Sequence, residues 1–295
     1  MMLASPRQPL SESGRGIAWM LLTTVLFVSM DTLAKHLTSL YPVPEVVWAR
    51  FAFHALFVTL FMRRGLRARI VTRRPGLQFL RSALLMCTTI LFFSGLSFLP
   101  LAECSAMVQV GPLIITALSV PLLGEQVGIR RWTGVAAGFA GALIIIRPGS
   151  EAMQLAILLP LAAAVTNALY QITTRVLSRS DNVFTTLFYT PLIGTLLASA
   201  FLPLVWQAPD LEGWAMLALL GLIGAVSHFT LIKAFTAAPA ATVAPFGYSA
   251  LIWATLFGLV AFGDFPDHWT IAGALVIAGS GIYILHREHV RKQAG

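Results

Sequence analysis

The chain has 295 residues, of which 57% are hydrophobic and only 11% are charged. Soluble domains carry about 25% charged residues, so the composition excludes an ordinary soluble protein. The net charge of +8 does not indicate nucleic-acid binding, because Arg and Lys concentrate in short loops between apolar stretches, as in membrane proteins. The sequence therefore predicts a single membrane domain, residues 1–295, that contacts lipid and binds no nucleic acid.

Apolar runs of about 20 residues, each long enough to cross a ~30 Å hydrocarbon core, follow the polar residues 1–15. Helices are expected in these runs, because an open sheet would leave backbone groups unpaired in lipid. Proline, glycine and charged residues mark the ends of ten predicted spans. In chain order, spans 1 to 10 have the limits 16–38, 43–62, 76–97, 101–123, 129–146, 153–177, 183–205, 212–236, 240–262 and 269–286.

The distribution of basic residues predicts how these spans cross the membrane, because loops rich in Arg and Lys stay in the cytoplasm. On the side of the N-terminus lie Arg7, Arg15, Arg63, Arg64, Arg67, Arg69, Arg73, Arg74, Arg130, Arg131, Arg179, Arg287, Arg291 and Lys292. The opposite loops clearly carry one basic residue, Arg147, and otherwise the acidic residues Glu45, Glu151, Asp210, Glu212, Asp264 and Asp267. Both chain termini are therefore expected in the cytoplasm.

Four charged residues are predicted to lie near the outer ends of spans 1, 2 and 4. Asp31 and Lys35 are four residues apart in span 1 and share one helix face. Arg50 lies in span 2, and Glu103 begins span 4. A charge inside the bilayer is costly, so we expect these four residues to form an ion-pair cluster. Two interpretations are open: an outer gate or grip on a zwitterionic substrate, and a structural pairing that neutralises Arg50.

Other charged or titratable residues of the spans also have two interpretations each. Arg81, Arg175 and Lys233 lie within about two turns of the cytoplasmic boundary, where snorkelling explains them. Lys233 is in addition a candidate substrate-binding residue of span 8. His54 and His228 are single histidines in apolar spans. Either one can support proton coupling, since histidine titrates near neutral pH, or can pack as an ordinary core residue.

Neutral polar residues in spans 4, 6 and 9 are the main candidates for substrate binding. Amides and hydroxyls bind a polar group without a permanent buried charge, and aromatic rings cover its apolar part. The same side chains also form hydrogen bonds between membrane helices. The predicted binding residues are Gln109, Asn167, Tyr170, Gln171, Tyr248, Ser249 and Trp253. Neighbouring proline and glycine residues predict hinges at Gly111, Pro112, Pro245 and Gly247.

Two stretches of the chain are similar to each other. Residues 100–125 and 239–264 both begin with proline and end near a glycine followed by an acidic residue. Five predicted spans lie in each of two halves, residues 16–147 and 152–286. Because five is an odd number, the second half is expected to cross the membrane in the opposite direction to the first. Many carriers are built from such inverted repeats, with the substrate site between them.

A proline-containing span, a Gly-Glu turn and a glycine-rich span follow one another at Pro112, Gly124–Glu125 and Gly134–Gly141. This order resembles the EamA family of the drug/metabolite transporter (DMT) superfamily, over essentially the whole chain. The second half departs from the family pattern, because Asp264 stands where glutamate is usual. Within the superfamily the chain resembles bacterial amino-acid and metabolite exporters, including those of the YddG type. The resemblance implies a multi-pass protein of the bacterial inner membrane with a cavity bordered by span 8.

Glycines in the last span of each half indicate close packing of helices, since small residues let backbones approach. The packing is expected within the chain, while packing between two copies remains an alternative, so the protein is a monomer or a homodimer. The residues concerned are Gly134, Gly138 and Gly141 in the first half and Gly273, Gly279 and Gly281 in the second.

The resemblance and the polar residues together predict a secondary transporter of small polar organic solutes. An exporter of amino acids, aromatic or other, and of related metabolites by alternating access is the leading interpretation. Sugars, nucleosides and amphipathic drugs remain alternatives, and proton coupling stays open. An intramembrane enzyme is a remote alternative, because it needs an activated nucleophile, a metal set or paired aspartates. We expect no catalytic residue, no metal and no cofactor. The sequence has no phosphate-binding loop that would indicate ATP as the direct energy source.

Overall fold

The computed structural model describes residues 12–62, 71–124, 127–148, 155–178 and 180–294. Within these residues ten helices are long and apolar enough to cross a membrane, which confirms the ten predicted spans. The helices of these spans are α1 Glu12–Leu40, α2 Val43–Met62, α3 Pro75–Leu96, α4 in two parts (Leu101–Val108 and Gly111–Leu123), α5 Ile129–Ile146, α6 Leu158–Leu177, α7 Val183–Ser199, α8 Leu211–Ala237, α9 Ala250–Phe262 and α10 His268–Ala294. The seventh and ninth spans, Phe184–Leu204 and Ala244–Phe262, also include the 3₁₀ segments next to α7 and α9.

Some residues used to predict the orientation lie outside the described residues, and the orientation of the helices in the membrane stays a prediction. These residues are Arg7, Arg63, Arg64, Arg67, Arg69, Glu151 and Arg179, and Glu125 of the Gly-Glu turn lies outside the described residues as well.

Local chemistry explains where several helices begin and end. The Asn182 side chain accepts a hydrogen bond from the Phe184 backbone N–H at 2.9 Å and caps α7. Asp210 caps α8 in the same way through the Gly213 N–H at 2.7 Å, as expected for side chains that satisfy free N–H groups. Gly124 and Gly263 end α4 and α9 with φ of 67° and 72°, a left-handed conformation that favours glycine. The two similar stretches therefore both end in a glycine C-cap.

Helices α4 and α9 are irregular at the positions where hinges are predicted. α4 is interrupted at Gln109 and Val110, and Pro112 lies in the first turn of its second part. α9 is preceded by a one-turn helix, Ala240–Val243, and by a 3₁₀ segment, Ala244–Ser249, that contains Pro245 and Gly247. Proline lacks the N–H that would continue an α-helical hydrogen-bond ladder, so both interruptions follow from the sequence.

The helices pack in pairs that connect the two halves of the chain. α1 packs against α8 and α3 packs against α6, while α5 contacts α10 and α2 contacts α7. The first part of α4 contacts α9, and its second part contacts α6. The core between these pairs is filled by large side chains that are almost completely buried, including Leu37, Phe51, Phe93, Leu96, Met107, Leu113, Leu217, Leu220 and Ile277.

Glycines allow α5 and α10 to pack backbone against backbone. A Cβ atom on Gly141 would lie 2.9 Å from the Gly273 carbonyl oxygen, and one on Gly273 would lie 2.6 Å from the Gly141 carbonyl oxygen. Gly138 is equally crowded, by Leu113 and Ser280, whereas a Cβ on Gly279 would meet nothing within 4 Å. These contacts show that most of the predicted packing glycines serve helix contacts within the chain, and that Gly279 does not.

Candidate functional site

Helices α4 and α9 meet at their interruptions. The Gln109 side-chain amide donates a hydrogen bond to the Gly247 carbonyl at 3.3 Å, which joins a predicted binding residue to a predicted hinge. The Ser249 hydroxyl lies 2.8 Å from the Thr24 hydroxyl of α1. The regular α-helical hydrogen bonds are interrupted at these two places, so a backbone carbonyl such as that of Gly247 can accept a hydrogen bond from another helix. The contacts connect the interruptions to each other and to α1.

A cavity of about 220 Å³ lies beside these interruptions. Three predicted site residues line it: Pro112 of α4, Gln171 of α6 and Tyr248 of the 3₁₀ segment. Arg131 of α5 and Arg175 of α6 also line the cavity, together with apolar residues. Tyr248 is buried, and its hydroxyl has no hydrogen-bond partner within the described part of the chain. The cavity therefore combines an amide, a phenol and two guanidinium groups with an apolar lining.

The three predicted binding residues of α6 divide between two surroundings. Gln171 is exposed and lines the cavity. Tyr170 instead contacts Arg81 of α3, whose Nη2 atom donates to the Tyr170 hydroxyl at 2.6 Å and whose guanidinium lies 4.4 Å from the ring centroid. Asn167 is half-buried. Adjacent residues of a helix point about 100° apart, so Tyr170 and Gln171 reach different neighbours.

Arg81 is a charged residue of the interior, which the sequence indicated as a charge near the cytoplasmic boundary and not as a site residue. Its side chain is 6% exposed. Its Nε atom donates to Thr174 of α6 at 2.6 Å, and Nη1 donates to Thr190 of α7. Snorkelling to the membrane surface, one interpretation of this residue, is therefore wrong, because its guanidinium points between three helices. The signal in the sequence was a single arginine within the apolar run of α3.

Arg50 of α2 is buried in a similar way and is 7% exposed. Its Nη1 atom donates to Thr89 of α3, and the guanidinium lies 5.3 Å and 5.5 Å from the ring centroids of Phe51 and Phe93. Its Nε atom has no hydrogen-bond partner among the described residues. Arg50 also interacts electrostatically with Asp31 of α1 and with Tyr170.

The four residues predicted to form one ion-pair cluster lie in two groups, one around Lys35 and one around Arg50. Lys35 forms an ion pair with Asp264 at 3.2 Å and donates to the Leu99 carbonyl at 2.7 Å. Glu103 interacts electrostatically with this group, whereas Asp31 interacts with Arg50 instead. Among the described residues Lys35 is therefore paired with Asp264 and not with Asp31, and a gating role of the four residues stays a prediction. Four residues of helix rise by about 6 Å, so Asp31 and Lys35 meet different neighbours although they share a face.

A second ion pair lies near Lys35 and Asp264. Arg147, which follows α5, contacts Asp267 at 2.9 Å. Burial raises the pKa of Asp267, but a hydrogen bond from the Thr270 N–H at 2.8 Å and the nearby Arg147 charge hold that pKa below its usual value. Both acidic partners lie between α9 and α10. The two ion pairs therefore join the ends of α1, α5, α9 and α10.

The ion pairs and the cavity lie at opposite ends of the helices. Arg131, at the start of α5, lines the cavity, and Arg147, just after the end of α5, belongs to the ion pairs. Arg175 in the last turn of α6 is also on the cavity side. The conformation is therefore held together by charges at one end, while a cavity is present towards the other.

Lys233 does not belong to this site. It is exposed and lies over the Phe229 ring, 5.4 Å from its centroid. Leu222, Val226 and Phe229 are also exposed on α8, and their spacing of three or four residues places them on one stripe with Lys233. Lys233 is therefore not among the residues that line this cavity, and its part in substrate binding stays a prediction.

Trp253 and the two histidines have more central positions. Trp253 packs against the buried core, and its indole N–H has no hydrogen-bond partner among the described residues. The His54 and His228 rings are 5.4 Å apart at a tilt of 30°, and Phe27 meets the His228 ring edge-on. The sequence shows them as unrelated single histidines, because their proximity depends on the packing of α2 against α8.

Comparisons with known proteins agree with this arrangement. The sequence profile described as the EamA-like transporter family matches residues 14–147 and again residues 154–286. A riboflavin transporter from Rhizobium johnstonii is 30% identical over 286 residues, covering 94% of this chain and 93% of that protein.

Two further relatives are similar over nearly their whole length. An S-adenosylmethionine uptake transporter from Rickettsia bellii is 28% identical, covering 92% of this chain and 94% of that protein. A pseudopaline exporter from Pseudomonas aeruginosa is 26% identical, covering 89% of this chain and 93% of that protein.

The fold also matches a solved crystal structure. The TM-score is 0.64 at 20% sequence identity, and the match covers 95% of this chain and 99% of the other. The family and the named relatives are transporters, not enzymes, and transport small metabolites across membranes. With ten membrane-spanning helices among its described residues, this chain belongs to the EamA-like transporter family, as a multi-pass small-solute transporter of the bacterial inner membrane.

Proposed function

We propose that this protein exports amino acids and related metabolites by alternating access. The observation that carries the proposal is the one-sided cavity beside the interruptions of α4 and α9. A carrier needs a central site that opens to one side at a time, and interrupted helices border such sites in many transporters. The ion pairs at the opposite end supply closure on that side.

The two halves of the chain, residues 16–147 and 152–286, would support the proposal as inverted repeats. Each half contains five of the ten described helices. The contact between α1 and α8 has its counterpart in the contact between α6 and α3, and the contact between α2 and α8 has its counterpart between α7 and α3. An inverted repeat predicts these paired contacts, because each contact has a partner related by the same axis.

The polar groups around the cavity fit an amino acid better than an apolar solute. Gln171 and Tyr248 offer an amide and a phenol at the cavity wall, and the Gln109 amide lies at the neighbouring contact with Gly247. Asn167, Ser249 and Trp253 remain predicted binding residues. We propose Gly111, Pro112, Pro245 and Gly247 as the hinges, because they occupy the irregular segments where helices bend with the smallest loss of hydrogen bonds.

The named relatives are compatible with this substrate class, but they differ in the direction of transport. S-adenosylmethionine, the substrate named for the Rickettsia protein, carries an α-amino acid group. One named relative is an uptake transporter and another is an exporter. Outward transport, proton coupling and the oligomeric state therefore stay predictions, and His54, His228 and Asp31 are the titratable residues to test for coupling.

Counterflow in proteoliposomes tests the proposal. Purified protein is reconstituted with an unlabelled solute inside, and entry of the radiolabelled solute is measured for a panel of amino acids, sugars and nucleosides. We expect at least one amino acid to accumulate transiently, with a lower rate in Gln171→Leu and an unchanged rate in the control Gln207→Leu, because Gln207 is exposed and outside the cavity. Counterflow of sugars or nucleosides alone would exclude amino acids as the substrate class.

A further inference from the structure

We propose that Arg81 and Arg50 form a binding subsite for a carboxylate group of the transported solute. The proposal rests on the proposed function in one respect, since it names the part of the substrate that these two residues recognise. Arg81 belongs to α3 and Arg50 to α2. The subsite lies on the inner faces of these helices, towards α6 and α1.

Arg81 carries a buried positive charge without a carboxylate partner. All three of its nitrogen atoms donate to neutral hydroxyl groups, those of Thr174, Thr190 and Tyr170. Among the described residues its side chain takes part in no ion pair. A buried charge is strongly unfavourable unless an opposite charge compensates it. Hydroxyls satisfy the donors but leave the charge in place, which a bound anion would neutralise.

Arg50 is only partly compensated. Its Nη1 atom donates to Thr89, its Nε atom is buried without a hydrogen-bond partner among the described residues, and Asp31 is the acidic residue with which it interacts. No ion pair within the described residues joins Arg50 to Asp31. The region therefore holds two guanidinium groups and one carboxylate. One further negative charge makes it neutral.

The two guanidinium groups share their surroundings. Tyr170 interacts with both of them, and His228 lies within electrostatic range of both. Tyr170, His228 and Asp31 are deep in the helix bundle, yet each keeps part of its surface accessible. A bound solute would reach the two arginines through these accessible surfaces. Gln171, the residue after Tyr170, lines the cavity already described.

A carboxylate fits this subsite better than other anions. Its single negative charge equals the missing charge, whereas a doubly charged phosphate would exchange an excess positive charge for an excess negative one. The guanidinium fork also matches the planar pair of carboxylate oxygens, which makes such contacts strong and directional. In an amino acid, the ammonium group would then lie towards the side of Asp31, the acidic residue of the region.

Acid and amide pairs of similar shape test the subsite directly. The melting temperature of the purified protein in detergent is measured with propionate and propionamide, phenylacetate and phenylacetamide, and nicotinate and nicotinamide. We expect at least one acid to raise the melting temperature in a concentration-dependent way, while its amide does not. Arg81→Gln should weaken the apparent affinity for that acid at least about tenfold. Arg74→Gln, which removes an exposed charge near the start of the same helix, should not.

If Arg81 binds the carboxylate, removal of its uncompensated charge should leave the unliganded protein folded, with an equal or higher melting temperature. Arg81→Lys should then recover part of the binding. A purely structural role predicts instead that Arg81→Gln lowers the melting temperature of the unliganded protein. Should Arg81→Gln fail to fold, Arg50→Gln is tested in its place. The proposal is overturned if no acid differs from its amide, or if the difference persists in both variants.

The outcomes also separate this subsite from the proposed function. An acid–amide difference without counterflow of any amino acid would retain the subsite and exclude amino-acid export. Equal counterflow of amino acids and of their carboxyl amides would retain transport and exclude the subsite.

Discussion

Tyr170 makes two separate contacts with Arg81, and each depends on a different part of its side chain. The hydroxyl accepts a hydrogen bond from Nη2 at 2.6 Å, and the ring lies beneath the guanidinium at 4.4 Å. A hydrogen bond to a charged group contributes about 1.5–3 kcal/mol, and a cation–π contact about 0.5–2 kcal/mol. Tyr170 therefore orients Arg81 while leaving its charge uncompensated.

Tyr170→Phe should separate these two contacts. The phenylalanine ring keeps the cation–π contact but loses the acceptor, so we expect the KM of counterflow to rise by about three- to tenfold. Tyr170→Leu removes both contacts and should have a larger effect. Tyr283→Phe is the control, because Tyr283 is exposed on α10. A KM that is equal in the Phe and Leu variants and the wild type would exclude a role for Tyr170 in binding.

Asp181 fixes the segment that leads into α3. Its carboxylate accepts hydrogen bonds from the Thr72 hydroxyl, from the Arg73 N–H at 3.2 Å and from the Gln78 amide at 3.0 Å. Burial raises the pKa of this carboxyl, but the hydrogen bonds from Thr72, Gln78 and Arg73 hold that pKa below its usual value. The ionised carboxylate therefore stabilises the fold by connecting the loop before α7 to the start of α3.

Asp181→Ala should lower the free energy of unfolding by at least about 2 kcal/mol, because it leaves the Arg73 N–H without an acceptor and the Gln78 amide with only the Thr186 hydroxyl at 3.4 Å. The folded-state pKa is lowered, so this stabilisation is present above the unfolded pKa of about 3.9 and is lost as pH falls through the folded value. Chemical unfolding in detergent at pH 7 and near pH 3 measures both effects. Glu212→Ala, an exposed acidic residue, is the control, and an equal loss in both variants would contradict the prediction.

At the scale of elements, the contact between α5 and α10 shows why two helices approach so closely. Gly141 and Gly273 face each other, and each would place a Cβ atom against the other's carbonyl oxygen. Close approach of this kind supplies van der Waals contact in lipid, where no hydrophobic force drives helices together.

Gly273→Ala should therefore destabilise the protein by about 1–3 kcal/mol, because backbone atoms cannot move aside as a flexible side chain does. Gly279→Ala on the same helix is a matched control, since a Cβ atom there meets nothing within 4 Å. The control should be neutral or stabilising by up to about 1 kcal/mol, as alanine favours helix. Thermal unfolding of both variants checks the difference, and equal melting temperatures would show that the backbone contact is unimportant.

Hydropathy predicted the helices well because span length and apolar character are properties of a local stretch of sequence. The prolines and glycines of α4 and α9 likewise indicated interruptions that the structure contains. Side-chain partners were harder to predict. Lys35 pairs with Asp264, which is distant in sequence, and Arg81 reaches hydroxyls of α6 and α7. Such contacts depend on how the faces of several helices pack, which a single sequence does not show.

At the scale of the whole molecule, the Lys35–Asp264 and Arg147–Asp267 pairs connect helices of both halves at one end. The cavity lies towards the other end. Partly exposed ion pairs contribute about 0–1 kcal/mol each, which is enough to bias two conformations without locking either one. Carriers require such a balance, because both conformations must be visited in every transport cycle.

Asp264→Asn should therefore shift the population towards the conformation that is open on the Lys35 side. In a background of Cys87→Ser and Cys104→Ser, Phe262→Cys places a reporter beneath Lys35, which lies 5.1 Å from the Phe262 ring centroid. A membrane-impermeant maleimide should react up to about fivefold faster after Asp264→Asn. Glu212→Gln is the control for a change of surface charge. An unchanged rate would show that the ion pair does not act as a gate.

As a carrier, the protein is expected to have one substrate site that alternates between the two sides of the membrane. Initial uptake into proteoliposomes, measured against external concentration with and without the same amino acid inside, tests this claim most directly. A carrier predicts saturable uptake that internal substrate accelerates, because the loaded site returns faster than the empty one. Uptake that rises linearly with concentration and ignores internal substrate would contradict alternating access and indicate a channel.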